Sequence, residues 1–499
     1  MKSKAYSFFI FYFSLLLVAC GGPSIPTVYT QMDQLPAIYP DYVQVMVPVN
    51  IAPLSFEYDG QADGMIARYS VDGEEIVCNG QPPVGKWHSL TQKAKGNVIT
   101  VEVYTRNGDR WARFKPFSIF VSPDSIDSYV SYRLIAPSFI TYEALTINQR
   151  CLENYEERVI YDNMLCGFEK NGQCINCHHY QQYNPQRLQF HARQFQGGTL
   201  IAYDGKIKKV NMRNDSILSA GVYPAWHPWL NLIVYATDKT FQLFHTVNSN
   251  KVEVYDEESD IIVYDVETDE VTNIENSKTE FEVFPAWAPD GKMLYYCSAY
   301  FEQRDSSMTK GGEVKSRYKE LKYNIYRKAF NPDTRQFGPR ELVFDAAARD
   351  SSATFPRISP DGRYLLFTMG HYGYFHIWHH DADLWLMDLA SGVVHPFTEV
   401  NSPDTESYHS WSSNGRWIIF SSRRGDGNFT RPFIAHVTED GQASKPFELP
   451  SRDPDYHRQF MRCYNIPEFM QGPVTIKPQR FARVLKGEAV DVKYVSGGL

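Results

Sequence analysis

Apolar residues along most of this chain recur at every second position, or in short unbroken runs, and both patterns predict β-strands. Gly96-Asn97-Val98-Ile99-Thr100-Val101-Glu102-Val103-Tyr104 alternates with period two, and so does Phe117-Ser118-Ile119-Phe120-Val121. With Ile51 to Phe56 and Ile66 to Val71, these segments predict a small β-sandwich over 44–122. Between Ser138 and Arg158 the spacing of Tyr142, Leu145, Ile147 and Leu152 predicts a partly helical stretch instead.

The second half repeats itself. YPAWHPWLNLIVYAT from Tyr223, FPAWAPDGKMLYYCSA from Phe284, FPRISPDGRYLLFTMG from Phe355 and YHSWSSNGRWIIFSSRR from Tyr408 share one pattern. An aromatic residue opens each, a Trp or its equivalent follows, and an apolar strand closes it. In the last three a Pro-Asp-Gly or Ser-Asn-Gly turn precedes that strand, since Gly and Asn tolerate positive φ. Equivalent positions lie 61, 71 and 53 residues apart, so insertions such as Glu302–Leu321 lengthen the loops. A degenerate first unit is expected at Gly197–Gly205, and strands near Pro432–Leu449 and Tyr464–Phe469 are expected to complete the last.

These repeats resemble the blades of TolB-type propellers, which carry a P-x-W-S-P-D-G-K/R signature and an I-x-F-x-S strand. The resemblance covers about Gln186 to Pro467 and implies an all-β chain: a five- or six-bladed TolB-like β-propeller preceded by a small β-sandwich. Such a fold accommodates many functions, so it implies none by itself. Asp290, Gly291, Asp361 and Gly362 are read as turn residues, and Trp226, Trp287 and Trp411 as packing residues.

An aromatic content of 15% and frequent Gly and Pro suit such a chain. A net charge of −8 over 499 residues points to neither nucleic acid nor an anionic membrane surface as partner. At the N-terminus, Lys2 and Lys4 precede an apolar run from Phe8 to Val18, too short for a retained spanning helix. Leu17-Val18-Ala19-Cys20-Gly21 resembles the lipobox of bacterial lipoproteins, which implies cleavage before Cys20 and a bilayer anchor on its acylated thiol. The expected location is the cell envelope, on the outer membrane facing the periplasm. The expected organisation is a leader over 1–19, a tether over 20–43, the sandwich over 44–122, a linker over 123–185, the propeller over 186–470 and a tail over 471–499.

The linker carries Cys174-Ile175-Asn176-Cys177-His178, which has the spacing of a c-type haem attachment site. Two thiols three positions apart can bond the haem vinyl groups, and the following imidazole can bind iron. His191 is the nearest candidate for the second axial ligand, with His371, His376, His379, His380, Met164 and Met212 as weaker ones. Two other readings stay open: a disulfide among Cys151, Cys166, Cys174 and Cys177, with Cys151 and Cys166 as the favoured pair, or a zinc knot of Cys166, Cys174, Cys177 and His178. The chain lacks a Gly-x-Ser-x-Gly elbow, a His-Glu-x-x-His pair and a phosphate-cradling loop, so it is expected not to be an enzyme. The expected function is a binding platform for an envelope protein or glycan, with haem c for electron transfer or, alternatively, as a haem-free scaffold.

Overall fold

The computed structural model describes residues 22–137, 144–166 and 172–498. The leader and Cys20 lie outside the described residues. Among the described residues no helix is long and apolar enough to cross a membrane.

The N-terminal unit is a seven-stranded mixed sheet, not the two facing sheets expected. Gly64–Val71 and Val98–Asn107 form its centre, and helix Val84–Lys93 buries Trp87 and Leu90. The helix supplies the cover that a second sheet would have given: the Trp87 indole donates to the Ile51 carbonyl at 3.0 Å and meets Tyr69 edge-on.

The four repeats form four-stranded antiparallel blades over Val222–Glu275, Glu280–Phe344, Ser352–Pro396 and Glu406–Glu448. Signature blades thus number four, against the five or six expected. Gly198–Tyr203 does not open a blade but is the third strand of a sheet that starts at Gln173–Tyr180. The supposed linker is equally strand-rich. Tyr129–Ile135, Thr146–Cys151 and Glu157–Asp162 pair antiparallel, and Cys463–Met470 joins them from the far end of the chain. The helix expected over 138–158 is therefore strand at Thr146–Cys151 and from Glu157, with a bend between, while 138–143 lie outside the described residues.

Six strands line the axis of the assembly: β1 (Gln173–Tyr180), β2 (Val222–Trp226), β3 (Glu280–Trp287), β4 (Ser352–Ile358), β5 (Glu406–Trp411) and β6 (Cys463–Met470). Each packs on the next, and β6 returns to β1, which gives a closed propeller-like ring. The turn chemistry is the one expected. Gly291, Gly362 and Gly415 sit at φ of 61°, 75° and 67°, and the preceding Asp290, Asp361 and Asn414 side chains accept from the backbone N–H two residues on. Signature tryptophans pack between blades: the Trp287 indole donates to the Ala225 carbonyl at 3.1 Å, and that of Trp411 to the Arg357 carbonyl at 3.2 Å.

The N-terminal unit and the ring share one core. Ile51, Leu54 and Val101 cluster with Tyr132 and Tyr464 of the sheet closed by β6, and with Trp417 and Ile434 of the last signature blade. Asp127 accepts from the Ser413 hydroxyl at 2.6 Å and from its N–H at 2.7 Å, close to the same seam. The tail, which has no sequence pattern, forms helix Pro478–Leu485 and two short strands that pair parallel with the outer strands Lys206–Asn211 and Glu270–Glu275.

Candidate functional site

All six inner strands break at the same place. Cys177, Tyr223, Phe284, Phe355, Tyr408 and Ile466 each adopt a positive φ, between 48° and 56°. The register shifts beside each of the six, as a β-bulge requires. A left-handed non-glycine residue costs about 1 kcal/mol or more, and it persists only where the surrounding packing enforces it. Here the bulge turns successive side chains inward to form layers around the axis.

In the first layer, Tyr223, Phe284, Phe355 and Tyr408 stack in sequence with ring centroids 4.5, 3.8 and 4.7 Å apart. Cys177 and Ile466 complete the circle. The second layer is Pro224, Pro285, Pro356 and Pro467 with two histidines, His178 and His409. Together these layers form a narrow neck with only about 30 Å³ of open space.

The third layer forms the floor of a funnel of about 580 Å³ that opens above the neck. Its two halves differ. Ala225 and Ala286 make an apolar arc beneath Trp226 and Trp287, whereas Arg357, Ser410, Glu468 and His179 make a polar one. Glu468 accepts from His179 Nδ1 at 2.7 Å. Burial opposes ionisation of this carboxyl, yet His179 beside it holds it below the usual carboxylate range, with help from His178 and Arg357. Its second oxygen, Oε2, is buried and has no partner. The Arg357 guanidinium donates to its neighbouring Pro356 carbonyl at 3.2 Å, and among the described residues no carboxylate reaches ion-pair distance of it. Desolvation pulls its pKa down, against the attraction of Glu468 and Cys297.

His178 is 2% exposed, and neither ring nitrogen makes a well-aligned hydrogen bond. Burial is the main reason its pKa falls to about 4, with Arg133 and His179 adding to the effect while Glu468 and the Ile466 backbone oppose it. His409 donates through Nε2 to the Leu366 carbonyl at 3.1 Å, and burial followed by Arg357 brings it to about 3 against the Leu366 and Phe355 backbone.

The haem-like pentad is thus part of a strand. Cys177-His178-His179-Tyr180 occupies in β1 the position that Tyr408-His409-Ser410-Trp411 occupies in β5. The residues present do not fit a haem. Cys177 and His178 border the neck, while Cys174 and His191 border a separate cavity of about 530 Å³. The two thiols therefore open onto different spaces, and the one beside His178 is far below the several hundred Å³ typical of cofactor pockets, about 300–1,000 Å³. His191 is buried and its Nδ1 lies 3.1 Å from Thr199 Oγ1. His376 and His379 contact Thr354 and Glu253 near the start of β4, at the opposite end from Arg357, and His380 pairs with Asp404. All seven described cysteines are buried free thiols, so Cys151 and Cys166 are not paired and neither are Cys174 and Cys177. Among the described residues no three His, Cys, Asp or Glu side chains gather as a metal would require, and the zinc knot is not formed.

His178, singled out from the sequence as a haem ligand, lies instead in the neck, and Arg357, Glu468, His179 and Ser410 were not among the expected site residues. A signal existed: each stands two positions after a bulge residue, where the other repeats carry Ala.

No family model matches the chain, and no curated protein matches it. Among solved structures it is similar to an oligogalacturonate lyase in complex with manganese, at 11% identity and a TM-score of 0.30 over 69% of this chain and 86% of that one. It is similar also to prolyl oligopeptidase B from Galerina marginata, at 9% identity and a TM-score of 0.34 over 80% of this chain and 54% of the other. Likenesses at this level carry no argument about activity.

Proposed function

We propose that this chain is a cell-envelope lipoprotein whose propeller is a binding platform, with the axial funnel as its binding surface and no haem. The observation that carries this reading is the funnel's polar arc, where Arg357 faces the opening without a carboxylate partner and Glu468 keeps an unpaired oxygen. Counting the two signature-less sheets as blades gives a six-bladed ring, and the repeat signature favours a TolB-type lineage. The Lys2/Lys4 start and the lipobox-like Leu17-Val18-Ala19-Cys20 support a bilayer anchor at Cys20 and an outer-membrane, periplasm-facing location.

A photo-crosslinking side chain introduced at Ala286 on the funnel floor tests the platform, with Val393 on an exposed outer hairpin as control. Adducts in intact cells at Ala286 but not at Val393 are expected; equal labelling at both refutes the reading. Cys20→Ser should release the protein from the membrane fraction, and retention after normal processing would remove the anchor.

A further inference from the structure

We propose that the funnel seats an acidic sugar, its carboxylate on Arg357 and a hydroxyl on Glu468. The inference rests on the reading of the funnel as the binding surface and names the chemistry of its occupant.

Three features converge. The first is charge. Arg357 is the floor's cation without an anion, whereas Glu468 already has His179 at 2.7 Å. A guanidinium offers paired N–H donors that match a carboxylate, and partial desolvation strengthens such a contact. Glu468 in the same layer disfavours a multiply charged group, so a monoanion fits better than a phosphate.

The second is unmet hydrogen bonding. Buried polar groups are nearly always paired, and each exception calls for a partner. Glu468 Oε2 is one such exception, on a carboxylate that lines both the funnel floor and the neck. A carboxylate oxygen only accepts, so it calls for a donor beside the anion that Arg357 calls for. A sugar acid carries both, a carboxylate and hydroxyl donors on one rigid ring. A peptide carboxy terminus would meet Arg357 equally well but holds its amide N–H on a flexible chain.

The third is shape. Opposite the polar arc the funnel is walled by signature tryptophans, and Trp229 at the rim is 57% exposed. An exposed indole offers a broad apolar face with a polar edge, suited to the C–H face of a pyranose. The open mouth lets the bound residue be a free monosaccharide or the end of a longer glycan.

Calorimetric titration of the intact protein with D-glucuronate, D-glucose, a glucuronate-terminated oligosaccharide and an N-acetylated tripeptide with a free carboxylate tests this. Glucuronate should bind at least tenfold more tightly than glucose. Arg357→Met should abolish that preference, Arg357→Lys should retain part of it, and Glu468→Gln should weaken both sugars. Matching melting curves certify that the variants are folded, and if Arg357→Met fails to fold, the Lys and Gln variants carry the comparison. Tighter binding of the oligosaccharide identifies a chain end as the occupant, and equal binding a free sugar. Equal affinity for glucose and glucuronate, binding of the tripeptide but not of glucuronate, or no binding at all would each overturn the proposal. If funnel crosslinks at Ala286 persist in any of those cases, the sugar assignment alone falls; if they are missing too, the platform reading falls with it.

Discussion

Replacing His178 with Asn should change how stability depends on pH more than it changes stability at any one pH. The imidazole is 2% exposed with a pKa of about 4, below the usual 6.5. Between these values the unfolded chain binds a proton that the folded chain rejects, so the native state loses stability as pH falls from about 6.5 to about 4. The full loss is about 3 kcal/mol at 1.36 kcal/mol per pKa unit, of which about 2 kcal/mol falls between pH 7 and pH 5. His191, His227 and His409 are depressed as well, but they remain in both proteins and cancel in the difference. Urea titrations of the two proteins at pH 7, 6 and 5 should therefore converge by about 2 kcal/mol on acidification. Parallel curves would show that His178 is solvated or held by an unseen partner, and burial in the narrow neck would not explain its depressed pKa.

Glu282 tests the opposite sign. It is fully buried with neither oxygen in a well-aligned hydrogen bond, and burial, then Asp260, Glu275 and Glu280, raises it to about 9 against the Ser277 backbone. Its contribution is complete below about 4.5 and lost as pH rises toward 9, so wild type should lose about 4 kcal/mol relative to Glu282→Gln between pH 5 and pH 8; a constant gap would contradict this. Gly80→Ala should cost about 2 kcal/mol or more in thermal or urea unfolding, because Gly80 has φ 78° and the added Cβ would lie 2.1 Å from the Phe56 carbonyl oxygen. Protein made in a host that attaches haem should be colourless, with Cys174 and Cys177 reacting with thiol reagents only after unfolding; a Soret band would reverse the assignment of β1.

The signature blades were legible because their turns and tryptophans act locally: Asp290-Gly291 and Asn414-Gly415 set a turn wherever they stand. The polar arc was harder to see, because its residues are far apart in the chain and only their shared place two positions after each bulge marks them. Cys174-Ile-Asn-Cys177-His178 misled for a related reason. The bulge position needs a side chain that fills the neck, and the next needs one that tolerates the following backbone; aromatic-Pro satisfies this in three repeats, Tyr408-His409 in the fourth and Cys177-His178 in β1. Read against Tyr408-His409-Ser410-Trp411, the pentad's last residues fit the repeat. The strands of the supposed linker carry no signature because their partner, β6, arrives from more than three hundred residues away.

That partner sets the timetable of folding. Because β6 pairs with Tyr129–Ile135, the ring cannot shut until nearly the whole chain has been synthesised and, if exported, delivered. Closing so long a loop has an entropic cost that grows only slowly with length, but until it happens the stacked aromatics of the neck face water. The N-terminal unit, whose core continues into the closing sheet, waits on the same event. A nascent chain halted anywhere before Cys463 therefore presents both an open strand edge and an uncovered aromatic column, which makes the final segment the point where this molecule passes from client of the quality-control machinery to finished protein.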